Sequence, residues 1–108
     1  MSKFVLTTRK NGQFQFVLKS NNGETILSSE GYKEKRSALK GIASVQKNGG
    51  LAERYNLLSA KNGKSYFNLR AGNHQVIGTS EMYASVDARK NGIKSVMKNS
   101  KTTKIEII

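Results

Sequence analysis

The sequence predicts an α+β fold in which two tandem β(3)-α-β repeats form one mainly antiparallel sheet, with two helices packed on one face. Displacing the sequence by 51 positions aligns residues 4–50 with residues 55–101 without a gap. Within each copy, apolar residues first recur with the period of a strand and then with the period of a helix. Two such copies are expected to complete each other's core.

Size and composition favour a single domain spanning residues 1–108. Each copy has about 50 residues, which is too few for a comfortable core of its own. The chain has no cysteine, which excludes disulfides and thiolate metal sites. No apolar run approaches the roughly 20 residues that span a bilayer, and Met1–Lys3 leads into a strand rather than a signal peptide. We therefore expect a cytoplasmic protein with no membrane partner.

The first copy begins as a three-stranded meander. Phe4–Arg9 is rich in β-branched and aromatic residues, and Asn11-Gly12 supplies a tight turn. The next strand alternates, with Phe16 and Leu18 facing inward, and Thr25–Ser28 forms a short third strand. The second copy repeats these elements, with inward residues in matching places: Phe67, Leu69 and Ile77 answer Phe16, Leu18 and Ile26.

A helical period follows each meander and predicts helices over residues 35–47 and 86–98. Ser85 is a good N-cap for the second helix, and Glu34 occupies the matching place less well. Gly41 and Gly92 lie on the buried stripe despite their low helix propensity, so we expect helix and sheet to approach closely there. Arg89 also lies near this stripe, where it either extends to the edge or pairs with a carboxylate such as Glu30 or Glu81.

Strand-like residues follow each helix, near residues 53–58 and at residues 104–108. The central segment has to serve both as the last strand of the first copy and as the first strand of the second. We therefore expect the two copies to be joined through this shared strand.

These motifs resemble the YegP-like family of small bacterial proteins. The resemblance is carried by Asn-Gly-x(3)-Phe in both copies, by YFNLRAGNHQVIGTSEMY at 66–83 and by NGIKSVMKN at 91–99. It implies β(3)-α-β units, in one chain or two, that form a continuous sheet with exchanged C-terminal strands. It implies no activity, because members of the family are uncharacterised. The first copy has Gly31 for Met82 and Gly23 for His74, departures that concern loops only.

The charge favours an anionic partner. Nineteen basic residues against seven acidic ones give a net charge of +12, which attracts nucleic acid and other polyanions. Each helix is predicted to carry a cationic outer face, although such faces often serve only solubility. These candidate anion-binding residues are Arg36, Lys40 and Lys47 on the first helix and Lys90, Lys94 and Lys98 on the second.

The opposite face of the sheet is a second candidate surface. We expect it to be free of helices and to present Val5, Val17 and Leu27 from the first copy. In the second copy, an aromatic ring among polar and cationic residues resembles a platform for bases. This candidate open-sheet surface comprises Lys64, Tyr66, Asn68 and Arg70. Its apolar part is equally suited to a protein partner or to self-association.

Catalysis has little support in the sequence. The single histidine, His74, lies in a predicted turn, and no metal-ligand cluster or phosphate-binding loop occurs. A Ser-Glu-x-Tyr corner recurs where strand gives way to helix, comprising Ser29, Glu30 and Tyr32 in one copy and Ser80, Glu81 and Tyr83 in the other. Its two carboxylates could act as acid and base only in a shared cleft. Local hydrogen bonding by Ser and packing by Tyr is the simpler interpretation.

We therefore expect a non-enzymatic protein without catalytic residues, cofactor or metal, folded as a monomer with pseudo-twofold symmetry. The first functional hypothesis is a binding module for an anionic partner such as nucleic acid. The alternatives are a protein-interaction or self-associating module, and small-molecule binding at the Ser-Glu-x-Tyr corners.

Overall fold

Each repeat begins with three antiparallel strands joined by tight turns. The computed structural model describes all residues from 1 to 108. Asn-Gly turns place Gly12, Gly23 and Gly63 at φ values of 82°, 85° and 83°, and His74 takes φ 70° at the fourth turn. The six strands are β1 (Lys3–Thr8), β2 (Phe14–Lys19) and β3 (Thr25–Ser28) in the first repeat, and β4 (Tyr55–Ser59), β5 (Ser65–Arg70) and β6 (Val76–Thr79) in the second.

The two meanders meet at the centre of a single seven-stranded sheet. The strand order is β4-β5-β6-β3-β2-β1-β7, where β7 is Ile105–Ile107. At the centre, β3 pairs with β6 antiparallel through Ser28 and Thr79. Because these residues stand at equivalent positions of the two repeats, a pseudo-twofold axis passes between them. The predicted continuous sheet is confirmed.

Two helices lie on one face of the sheet and return the chain to the other repeat's half. Helix α1 (Lys35–Asn48) is followed by a 3-10 turn at Ala52–Arg54 and then by β4, which pairs with β5. Helix α2 (Val86–Asn99) leads to β7, which pairs with β1 in parallel. Each repeat thus sends its final strand to the far edge of the other, as the family resemblance implies.

The core is shared between the repeats. Helix α1 packs on β2 of its own repeat and on β5 and β6 of the other, and α2 packs on β5 and on β2 and β3. The predicted N-cap of α2 is confirmed, since the Ser85 hydroxyl accepts a bond from the Ala88 amide at 3.0 Å, whereas Glu34 makes no side-chain cap. The buried apolar cluster draws on both halves: Phe4, Leu6, Phe16, Leu18, Ile26, Leu27, Ala38, Ile42, Val45, Phe67, Leu69, Ile77 and Val96.

The structure corrects one prediction about the uncovered face. Leu27 does not lie there; it pairs with Leu18 and is fully buried on the helix side. The pairing passes from Lys19↔Thr25 to Leu18↔Leu27, so Ile26 is an extra residue in β3. Such a bulge breaks the alternation of side chains, which is why period-two counting assigned Leu27 to the wrong face. Val5 does lie on the uncovered face, opposite Val17, but only 6% of it is exposed.

Candidate anion-binding groove

The second helix presents a line of lysines to solvent. Lys90, Lys94 and Lys98 stand four residues apart and are exposed, because Gly92 and Val96 on the opposite side of α2 are buried against the sheet. Lys98 lies in the last turn, where the helix dipole favours a cation. Amphipathicity alone therefore fixes the direction in which these ammonium groups point.

Two of these lysines line an open groove of about 390 Å³. The groove lies between the C-terminal half of α2 and the turn that joins β2 to β3. None of its lining residues is hydrophobic: they are Ser20, Asn21, Asn22, Asn91, Lys94, Ser95, Lys98 and Asn99. Such a lining of ammonium, amide and hydroxyl groups offers many hydrogen-bond donors and no carboxylate.

The positive charge of the groove is not neutralised within the chain. Lys94 and Lys98 have no carboxylate within salt-bridge distance, and among all basic residues only Lys3 and Arg36 have one. Asn99 is 7% exposed, and its Nδ2 donates to the Ser95 carbonyl at 2.8 Å. Its Oδ1 accepts no bond within the chain, so the groove also offers one well-fixed acceptor.

The equivalent space in the other repeat is filled by the chain itself. Arg54 Nε donates to Asn48 Oδ1 at 3.0 Å, and Asn48 is the counterpart of Asn99. The Arg54 guanidinium also approaches Gly72, where a Cβ would lie 3.5 Å from Nη2. In addition, Ala43 of α1 stands where α2 has Lys94. The internal repeat therefore yields one open cationic groove rather than two.

The predicted cations of α1 do not converge on a cavity. Arg36 Nη2 lies 3.0 Å from the Glu34 carboxylate, with both side chains largely exposed. Lys40 and Lys47 are exposed and line no cavity. Of the six cations proposed from the sequence, the structure brings Lys94 and Lys98 together, with Lys90 one turn away.

The open-sheet residues are spread over the uncovered face. Tyr66, Asn68 and Arg70 alternate along β5 and are half-buried, while Lys64 is exposed in the preceding turn. Asn68 Oδ1 and Arg70 Nε are buried without hydrogen-bond partners. Only Arg70 lines a cavity, a groove of about 220 Å³ that also holds Glu53. Tyr66, Asn68 and Arg70 thus lie in line on one face of β5, and the open-sheet surface stays a prediction.

Each Ser-Glu-x-Tyr corner is held by local bonds. Ser29 Oγ accepts a bond from the Phe16 amide at 3.0 Å and donates to the Glu30 carbonyl at 2.8 Å. Tyr32 stacks on Phe16 with ring centroids 6.2 Å apart. Burial raises the pKa of the Tyr32 hydroxyl, and the Glu30 carboxylate raises it further. The corner thus ties the end of the meander to the core.

The second corner repeats these contacts. Ser80 Oγ accepts a bond from the Phe67 amide at 3.0 Å, and Tyr83 stacks on Phe67 at 6.3 Å. Burial raises the pKa of Tyr83, with Glu81 and Glu24 adding to the shift.

The two corner carboxylates share no cleft. Glu30 lines a groove of about 430 Å³ with Gly31, Tyr32, Gln75, Val76 and Ile77, and Glu81 does not contribute to it. Neither glutamate side chain makes a hydrogen bond within the chain. The geometry therefore gives no support to an acid–base pair formed by these residues.

Several features were not predicted from the sequence. Arg89 meets no carboxylate; its Nη1 donates to the Leu58 carbonyl of β4 at 3.0 Å, and its Nε is buried without a partner. The groove residues from the β2–β3 turn were also missed, because nothing in the local sequence places that turn beside α2. The recurrence of Asn48 and Asn99 was the one available signal.

The chain has no group of three or more His, Cys, Asp or Glu residues placed to hold a metal ion. Neither helix has the length and apolar character needed to cross a bilayer.

The fold and groove define a class: a small, basic α+β protein in which two repeats build one sheet. The chain belongs to the family described as "Domain of unknown function (DUF1508)", whose model matches residues 10–56 and again residues 60–106. The two matches correspond to the two repeats, and the family resemblance seen in the sequence is confirmed.

The relatives are uncharacterised. A UPF0339 protein of Shewanella oneidensis is 57% identical over 103 residues, covering 95% of this chain and 94% of the relative. The UPF0339 protein YegP of Escherichia coli K12 is 56% identical over 96 residues, covering 89% and 87%. A solution NMR structure of a Shewanella oneidensis UPF0339 protein has a TM-score of 0.93 at 56% identity and covers 98% of this chain and 90% of its own. The solution NMR structure of E. coli yegP, described as a protein of unknown function, has a TM-score of 0.93 at 51% identity, with 98% and 91% covered.

Proposed function

We propose that this protein is a non-enzymatic binding module for a phosphate-bearing polyanion such as nucleic acid, and that it binds through the groove beside α2. The observation that carries the proposal is the polar lining of that groove, which places Lys94 and Lys98 beside amide donors with no carboxylate among them. Ammonium groups arranged along a helix suit successive phosphates of a backbone and carry no base readout.

The rest of the molecule supports the same partner. A net charge of +12 raises the local concentration of polyanions and speeds their encounter with the protein. Lys90 extends the line of cations by one turn beyond the groove, and Asn99 Oδ1 is free to accept a bond from a sugar hydroxyl. Binding of this kind releases counterions, so its affinity is expected to fall steeply with salt.

The test is fluorescence anisotropy with a labelled oligonucleotide at several salt concentrations, comparing the natural protein with the double variant Lys94→Gln, Lys98→Gln. We expect the variant to bind about tenfold more weakly, with the slope of log affinity against log salt reduced by about two. Both lysines are exposed, so the fold is expected to tolerate the substitutions.

The matched control is Lys10→Gln with Lys33→Gln, which removes the same charge at the other end of β2. Lys10 lies in the turn before β2, and Lys33 follows Tyr32, which bridges to Phe14 at the start of that strand. The control pair should weaken binding much less than the groove pair. An equal loss in the two variants, or binding that does not depend on salt, would contradict a specific role for the groove.

A further inference from the structure

The two edges of the sheet are not equivalent. At one edge, β7 covers β1, whereas β4 at the other edge pairs only with β5. The reason lies in the linear repeat: residues 54–56 align with residues 105–107 of β7 and also with the start of β1. The chain uses this segment as the first strand of the second repeat, so no residues remain to form an eighth strand beside it.

The contacts of β7 show what the equivalent position can hold. The Phe4 amide donates to the Lys104 carbonyl at 2.9 Å, and the Ile108 amide donates to the Leu6 carbonyl at 3.0 Å. Lys3 Nζ also lies 2.7 Å from the Glu106 carboxylate in the middle of β7. A parallel strand with isoleucine at alternate positions and an acid between them is therefore the natural occupant of this kind of edge.

The free edge of β4 retains one of the positions that β1 uses, at Leu57. The counterparts of the Phe4 amide and of Lys3 are the Tyr55 amide and Arg54, which bond to Ala52 and Asn48 within the chain. Leu57 is the counterpart of Leu6 and stands opposite Phe67 as Leu6 stands opposite Phe16. This shared register directs the Leu57 amide and carbonyl away from β5, toward the open edge. Leu57 is 56% exposed, whereas Leu6 is 1% exposed.

Nothing in the sequence of β4 guards this edge. The strand has five residues, Tyr-Asn-Leu-Leu-Ser, with no proline, lysine or bulge of the kind that usually prevents edge pairing. Of the main-chain groups along the outer edge of β4, the preceding 3-10 turn occupies only the Tyr55 amide, which donates to the Ala52 carbonyl.

We propose that the outer edge of β4 binds an extended, acidic segment of another protein as an added parallel strand, with aliphatic residues at alternate positions. Strand addition of this type takes affinity from main-chain bonds and specificity from alternate side chains. An acidic segment fits a chain of net charge +12, and the same charge opposes pairing with a second copy. This site is separate from the groove beside α2 and does not depend on it.

The test uses ¹⁵N NMR of the full chain with a synthetic probe. The probe has the sequence of residues 101–108 with Lys101→Glu and Lys104→Glu, which keeps the isoleucines and makes the peptide acidic. We expect shift changes centred on β4 and slower exchange of the Leu57 amide. A probe N-methylated at alternate residues should bind about tenfold more weakly, because it loses main-chain donors while keeping its charge.

Two variants complete the test. Leu57→Glu should abolish the effect of the probe by removing an apolar contact and adding a repulsive charge. Ile108→Glu, a similar change at an exposed residue on the opposite edge, should leave it intact. The proposal is overturned if the probe does not bind at millimolar concentration, if N-methylation or Leu57→Glu has no effect, or if the free chain is a dimer with Leu57 buried.

Discussion

Gly41 and Gly92 lie where each helix crosses a tyrosine of the Ser-Glu-x-Tyr corners. A Cβ at Gly41 would lie 2.5 Å from the Tyr32 hydroxyl oxygen, and a Cβ at Gly92 would lie 2.5 Å from Cζ of Tyr83. Real side chains do not approach this closely, so each ring would have to move. The rings are themselves stacked on Phe16 and Phe67. The helical glycines are thus required by packing, and this accounts for their recurrence in the sequence.

This contact predicts the sign of a substitution. Gly92→Ala would stabilise a free helix by about 1 kcal/mol, but here we expect it to destabilise the protein by about 1–3 kcal/mol through overpacking. In a Tyr83→Ala background the same change should become neutral or stabilising, because the ring is gone. Urea unfolding of the four proteins in this double-mutant cycle measures the coupling. A cost of Gly92→Ala that is the same in both backgrounds would contradict the explanation.

Other single-residue details could not be predicted from the sequence. A Cβ at Gly78 would lie 2.6 Å from Leu27, its counterpart in the other repeat. The Leu27 side chain therefore has room only because Gly78 has no side chain. Arg54 likewise fills the space beside α1, whereas the equivalent space beside α2 stays open. The Gly78–Leu27 contact crosses the pseudo-twofold axis, and the Arg54–Asn48 bond depends on the 3-10 turn at Ala52–Arg54. Sequence periodicity describes one element at a time and carries no information about such contacts.

At the scale of elements, β7 is the shortest strand of the sheet. It has three residues, and its central Glu106 carboxylate accepts a bond from Lys3 of β1. This hydrogen bond and the Lys3 charge lower the pKa of Glu106 below its usual value, with smaller contributions from Lys104 and Lys19. A lowered pKa in the folded state means that the stabilising effect is present above the ordinary pKa of Glu and is lost as the pH falls through the lowered value.

We therefore predict that acid loosens β7 before it affects the core. An NMR pH titration should show the Glu106 carboxyl titrating below the ordinary range of Glu, and Lys3→Met should raise its midpoint. The protection factors of the Ile105–Ile107 amides, which correct for the pH dependence of intrinsic exchange, should fall at the low end of the same titration. High salt should reduce the shift of the Glu106 midpoint. A midpoint unchanged by Lys3→Met would show that the ion pair is not formed in solution.

The elements themselves could largely be predicted. Both helices begin at the predicted residues and end one residue beyond the predicted ends, because alternation and capping are local signals. The segment that joins the repeats was predicted less accurately, because β4 begins at Tyr55 and Ala52–Arg54 form a 3-10 turn instead of strand. This turn directs Arg54 toward Asn48, so the departure from the predicted strand is also what closes the second groove.

At the scale of the whole molecule, twofold internal symmetry supplies the scaffold and departures from it supply the candidate sites. The symmetric part, comprising the central strands, the corners and the buried stripes of the helices, is the part the repeat predicts. The open groove beside α2 and the free edge of β4 both arise where the two halves differ. The line of lysines on α2 could be predicted from the sequence. The groove could not, because its other wall is the β2–β3 turn of the first repeat.

The central claim is that neither repeat has a complete interior without the other. Helix α1 packs on β2 of its own repeat and on β5 and β6 of the second. A substitution in α1 should therefore lower the stability of both halves equally. Ile42 is fully buried, and Ile42→Val is expected to cost about 1 kcal/mol.

The most direct measurement is urea unfolding followed residue by residue by NMR, in the natural protein and in Ile42→Val. We predict one transition, with the same midpoint for amides of β2 and β5, and an equal decrease of that midpoint in both strands of the variant. Two separate transitions, or a decrease confined to the first repeat, would contradict the shared core.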